Sequence, residues 1–273
     1  MSESQKHPYH LVDPSPWPLV TAASALTLAW GFILFMHEEV TTIFTIGAVA
    51  VLLSCYFWWK DVILESEKGV FHNQVVQIGL RYGMIFFIAS EVMFFSAWFW
   101  AFFDVAFYPG ENSPELIGRI ESLGGVFPPE NIELIPPFGI PLLNTFILLA
   151  SGGTVTWAHH ALRVNDRKNF LIFLFLTIVL GVIFTGFQAY EYMHATFSID
   201  EGIYPSTFYM ATGFHGAHVL IGSIFLAVCF YRGIKGGFTP DKHLGFEFAA
   251  WYWHFVDVVW LFLFTFVYWW ASY

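Results

Sequence analysis

Charge is what this sequence has least of. Asp, Glu, Lys and Arg together make up 12% of its 273 residues, about half the share of an ordinary soluble domain. That scarcity, beside 57% hydrophobic and 21% aromatic residues, excludes a soluble globular fold. Basic residues are fewer still, 11 against 21 acidic ones for a net charge of −10, which argues against a nucleic-acid partner. There are two cysteines, Cys55 and Cys229, both inside apolar runs. They exclude a disulfide framework and a thiolate metal centre, and read as small buried hydrophobes. No HExxH motif is present, so a metalloprotease-type site is excluded. No repeat of 20–50 residues occurs, which excludes a solenoid. The opening MSESQKHPYH lacks the charged start and short apolar core of a secretory signal, so insertion is expected to be carried by the internal segments.

What the chain does have is seven long apolar runs, near 15–36, 41–59, 76–107, 138–160, 169–195, 204–232 and 246–271. Each approaches the roughly 20 residues needed to cross a bilayer core. If each spans once, Lys6, Lys60, Lys68, Arg81, Arg163, Arg167, Lys168, Arg232, Lys235 and Lys242 fall on the side of the N-terminus, and Arg119 alone on the other. Such sorting is the positive-inside pattern, and predicts an inner N-terminus and an outer C-terminus. The outer loops gather acids, among them Glu38, Glu39, Glu130, Glu133, Asp200 and Glu201. These read either as a steering surface for a basic partner or as a solvated loop surface.

The expected organisation is an inner-surface segment over 1–14, a two-helix unit over 15–59, an inner linker over 60–75, and five further spans over 76–273 with an outer loop at 108–137. The proline-rich PYHLVDPSPWP ends where the first helix begins, with Trp17 as an interfacial anchor. The short turn near 37–40 makes the first two helices an antiparallel hairpin. The linker is the expected hinge between two sub-bundles. The third run, about 30 residues or ~45 Å of helix, must tilt or project.

Ionisable residues at membrane depth are costly, so each needs a partner or a task. Glu91, in SEVMFFSAWFW, has no basic residue within a helical turn. It reads either as a proton-active or carboxyl-reactive acid, or as a neutral acid bonded to a neighbouring helix. In GFHGAHVLIG, His215 and His218 are three apart and share a face; they read as a metal or heme pair or as interhelical hydrogen bonds in a glycine-rich seam. His254 and Asp257 in AAWYWHFVDVVWLF, and Glu191 and His194 in QAYEYMH, repeat that spacing. Spacing alone does not assemble these into a metal centre. His159 and His160 close the fourth run on the inner side, where Trp59, Glu65, His72 and Arg232 also fall. Bases and aromatics at that depth either hold anionic lipid heads or act as snorkelling anchors.

Taken in order, HLVDPSPWP, GLRYGMIFFIASEVMFFSAWFWAF, PLLNTFILLASG, TWAHHAL, FTGFQAYEY, STFYMATGFHGAHVLIGS and FEFAAWYWHFVDVVWLFLF resemble subunit III of the aa3-type cytochrome c oxidases, from about Tyr9 to Trp270. The resemblance implies an all-α integral membrane protein of seven transmembrane helices, with the N-terminal two-helix hairpin splayed from a five-helix bundle and phospholipids in the V-shaped cleft. It implies no catalytic residue, no metal and no cofactor in this chain; heme a, heme a3 and copper belong to partner subunits. It carries lipid contact over to Trp59, Glu65, His72 and Arg232, carbodiimide reactivity to Glu91, and a proton-antenna role to His7 and His10. The implied partners are subunits I and II, accessory subunits, phospholipids and a respiratory supercomplex, with no nucleic acid. The sequence departs from animal forms at Leu64, where they carry arginine, and in a longer loop over 111–125.

The implied function is a non-catalytic subunit of the oxidase that moves electrons from cytochrome c to oxygen and pumps protons. It would stabilise subunit I, seat lipids and support proton uptake. The alternative is a stand-alone seven-helix proton or ion transporter using Glu91, Glu191 and Asp257; a third reading is a heme protein using His215, His218 and His254. The 33 phenylalanines and the N-terminal motif favour a mitochondrial inner membrane with the N-terminus in the matrix, over a bacterial plasma membrane with a cytoplasmic N-terminus.

Overall fold

The structure is a computed structural model and describes residues 9–68, 71–110, 120, 123–130 and 132–272. Seven helices long and apolar enough to cross a membrane run in sequence: α1 Trp17–Glu38, α2 Thr41–Lys68, α3 Gln74–Phe107, α4 Ile140–Arg163, α5 Arg167–His194, α6 Ile203–Ile234 and α7 from Leu244. No strand occurs among the described residues. The expected all-α membrane architecture with seven spans is the one observed. In hydrocarbon every backbone N–H and C=O must be satisfied within the chain, and a helix does this locally.

One expected boundary moves. α2 continues to Lys68, so the connection to α3 is shorter than the linker placed at 60–75. The last turns of α2 carry Lys60, Asp61, Glu65, Glu67 and Lys68, which are compatible with a helix but invisible to hydropathy. At 34 residues, α3 is about 51 Å long, more than a bilayer core requires.

The chain forms two compact units, 1–82 and 83–273. In the first, α1 and α2 make the expected hairpin. Its turn is closed by Glu39 at φ 57°, whose N–H donates to the Phe35 carbonyl at 3.2 Å. The buried residues of the pair are all small: Ser24 and Gly31 on α1, Gly47 and Ser54 on α2. A side chain at Gly31 would strike the backbone of Ile43 and Phe44, and one at Gly47 the backbone of Leu28. The helices thus approach until backbones touch, which is how apolar helices associate when lipid offers no hydrophobic driving force. Trp17 binds this unit at its other end: its indole N–H donates to Asp61 at 2.6 Å and its ring stacks on Phe57.

In the second unit α7 is the most buried span, with Trp253 and Trp260 fully enclosed. The Trp253 ring fills the room left by Gly181 on α5 and Gly222 on α6, where an added Cβ would lie 2.7 and 2.9 Å from ring atoms. Its N–H donates to Ser151 Oγ on α4 at 2.9 Å, and Trp260 donates to Thr145 Oγ1 at 2.9 Å. α3 is held differently, through large rings: Phe94 and Trp98 against Phe214 of α6, Phe95 against Phe255 and Phe99 against Phe262 of α7. The α4–α5 turn is short. Asp166 caps α5 by accepting from the Asn169 N–H at 3.1 Å, and that bond holds its carboxyl below the usual range. Arg167 donates to the carbonyls of Gly233 and Ile234, covering the C-terminal end of α6 where its dipole is negative. Past Phe262, α7 continues as a π-helix over Leu263–Trp269 and a 3₁₀ turn over Trp270–Ser272.

A Gly31→Ala substitution is expected to lower the thermal midpoint of the detergent-solubilised protein, because the methyl group meets backbone that cannot rotate aside; overpacking costs about 1–3 kcal/mol. Gly79→Ala, where nothing lies within 4 Å of the added carbon, is the control and should leave the midpoint unchanged. Equal melting of the two variants would remove the close-approach account.

Candidate functional site

The candidate residues fall into separate groups. At the start of the described chain, His10 Nε2 lies 2.7 Å from Glu65 Oε1. The His10 ring also packs on Phe71 at 4.9 Å and edge-on to His72 at 5.8 Å. His72 sits in the short connection before α3. Its carbonyl accepts from the Gln77 side chain at 3.0 Å, and Asn73 beside it accepts from the Val76 N–H. Burial, then the neighbouring His10, hold the His72 imidazole below its ordinary range, against the opposing pull of Glu65. Trp59 projects outward, 66% exposed. Trp59, Glu65, His72 and His10 thus belong to the first unit. Arg232 belongs to the second, with its guanidinium over the Phe238 ring at 4.5 Å. His7 and part of the loop at 111–125 lie outside the described residues.

Glu91 has a partner that its own helix does not supply. Its Oε2 lies 2.8 Å from His218 Nε2, while His218 Nδ1 lies 2.6 Å from the Phe214 carbonyl. A carbonyl can only accept, so Nδ1 carries a hydrogen. The contact at Nε2 then holds one proton, on the carboxyl or on the ring. Phe94, Phe95, Tyr252 and Phe255 surround that imidazole, so the pair is a single polar link inside an aromatic seam.

The other histidines go elsewhere. His215 is fully buried, its Nε2 3.1 Å from the Val256 carbonyl, with its ring beside Trp260 and Phe184. His254 Nε2 lies 3.1 Å from Thr156 Oγ1. His215, His218 and His254 therefore each engage a different group. Glu191 accepts from Tyr268 at 2.7 Å and from Gln188 at 3.4 Å, while His194 turns to the Tyr190 carbonyl and stacks on that ring. The three-residue spacing of Glu191 and His194 thus does not make a pair. Asp257 faces Gly152, where an added Cβ would lie 2.7 Å from Oδ2. His159 meets His243 edge-on at 5.2 Å. Two constellations had no signal in the sequence: Glu91 with His218, 127 positions apart, and His10 with Glu65 and His72.

Comparison with known proteins decides among the readings. Residues 7–272 match the family described as cytochrome c oxidase subunit III. The chain belongs to the cytochrome c oxidase subunit III family. It is 54% identical to the cytochrome c oxidase subunit 3 of Bos taurus over 268 residues, covering 98% of this chain and 99% of the relative. The subunit 3 proteins of Dugong dugon and Cyprinus carpio are each 53% identical over the same span and shares. The family is a subunit of an oxidoreductase complex, the terminal oxidase, and the stand-alone transporter reading is not favoured.

Replacing Glu91 by alanine leaves His218 Nε2 without its partner in a setting that water does not reach freely, a loss of about 1–3 kcal/mol. Glu91→Gln keeps an amide that can donate or accept there, and should retain most of that stability. Thermal melts of the purified complex carrying each variant check this; an unchanged midpoint in the alanine variant would show that the link contributes nothing.

Proposed function

We propose that this chain is the non-catalytic third subunit of a cytochrome c oxidase. Electrons pass from cytochrome c to oxygen, and protons are pumped, through heme a, heme a3 and copper held by subunits I and II. The observation that carries this reading is likeness over 98% of the chain to relatives of the same length. Seven helices long and apolar enough to cross a membrane support it. The chain stabilises subunit I, seats structural phospholipids and sustains proton uptake, alongside accessory subunits and within a respiratory supercomplex. Its membrane is the mitochondrial inner membrane, with the N-terminus in the matrix. The organisation that serves this role is the segment 1–14, the helix pair, the connection to α3, and the five remaining spans with the outer loop 108–137.

Trp59, Glu65, His72 and Arg232 are the lipid contacts. An exposed indole suits the headgroup layer, and a guanidinium supplies the bidentate charge that a phosphate takes. His10, with His7, is the proton antenna. Imidazole is the side chain suited to relaying protons near neutral pH, and Glu65 beside His10 offers the next acceptor. Glu91 is the carbodiimide-reactive acid.

The double variant His7→Ala, His10→Ala is expected to slow oxygen consumption at high pH, where proton supply limits turnover, and to leave heme spectra intact. Unchanged rates across pH would remove the antenna. Arg232→Ala is expected to lower phosphorus per heme in the purified complex, with Arg232→Lys retaining part of it. Full retention in the alanine variant would sink the lipid assignment.

A further inference from the structure

Among the described residues, one group of imidazoles and carboxylates converges as a metal-ligand set: His10, Glu65 and His72, whose ligand atoms all lie within 4.8 Å of one another. We propose that these three side chains form a binding site for a divalent transition ion of the zinc class. Two imidazole nitrogens and one carboxylate oxygen are a donor set that zinc takes in protein sites with an open fourth position. The same set disfavours magnesium and calcium, which prefer all-oxygen shells.

The geometry is close to what such an ion requires. Ligands at about 2.0–2.1 Å from a tetrahedral zinc stand roughly 3.4 Å apart. His10 and Glu65 are already 2.7 Å apart, so a metal would part them slightly and draw His72 inward. The backbone permits this adjustment. Residues 10–15 are outside any helix, so His10 can shift, while Glu65 is fixed on α2. His72 is held in its short connection by the bond from Gln77 to its carbonyl. Phe71 packs against the His10 ring and limits its orientations. All three side chains are only partly exposed, which moderates competition from water while leaving a path for entry. The trio lies within one compact unit, so the site does not depend on the placement of the other.

This inference needs neither the lipid nor the antenna role. The purified oxidase complex is stripped with a chelator and titrated with zinc chloride. Bound zinc is measured by equilibrium dialysis with elemental mass spectrometry. The wild-type complex should take up one equivalent more than complexes carrying His10→Gln, Glu65→Gln or His72→Gln, or bind that equivalent about ten-fold or more tightly. Identical isotherms would overturn the site. A second measurement needs no variant: in the wild-type complex, zinc should protect His10 and His72 from carbethoxylation by diethyl pyrocarbonate, mapped by peptide mass spectrometry. Absence of protection at both would also overturn it. Phosphorus per complex in the same samples reports the lipid role separately.

Discussion

An indole ring lodged where two glycines leave room holds the larger unit in one arrangement. Trp253 of α7 occupies space left by Gly181 of α5 and Gly222 of α6 while its N–H reaches Ser151 of α4. One side chain thereby sets the separation of four helices. In lipid this matters more than in water, because helices gain nothing by hiding apolar surface from a solvent that is itself apolar. What remains is shape and the hydrogen bond, and Trp253 supplies both. The smaller unit uses the opposite device: Gly31 and Gly47 bring α1 and α2 together with no large residue between them.

The polar links follow from the same constraint. Tyr268 to Glu191, Trp260 to Thr145, Glu91 to His218 and His215 to the Val256 carbonyl all join one helix to another. A polar group that cannot reach water must find such a partner. Glu91, Glu191, His215 and His218 are thereby accounted for as fastenings, each in its own place. α3 illustrates the balance. Its contacts to α6 and α7 include broad aromatic rings, and Glu91 adds a directional link to His218 of α6.

Seven spans were legible because apolar runs of membrane length have few alternatives, and the placement of eleven basic residues gave their alternation. The hairpin was legible from its short turn. The end of α2 was not, since Asp61, Glu65 and Lys68 sit comfortably in a helix that has left the hydrocarbon and carry no hydropathy signal. His215 and His218 were correctly set near one face. Three residues of helix still leave a rotation of about 60° between them, enough to send one ring to α7 and the other to α3. Pairings across more than fifty positions, such as His10 with Glu65, depend on how segments dock and leave no trace in local spacing. The resemblance named residues for lipid and proton roles, but it did not bring His10, Glu65 and His72 into one cluster.

The π-helical turn that ends α7 has a bearing on how this chain could change over generations. Bonds from i to i+5 accommodate a residue more than an α-helix would over the same rise. The stretch Leu263–Trp269 behaves like a single insertion absorbed without breaking the span. Removing one residue there would return the turn to α geometry and leave the segments on either side in register. Tyr268 lies inside the turn and its bond to Glu191 would have to be remade, while Trp253 and Trp260, which precede the stretch, would stay in place. Length variation at this end of the chain is therefore confined to one turn and registers in one hydrogen bond.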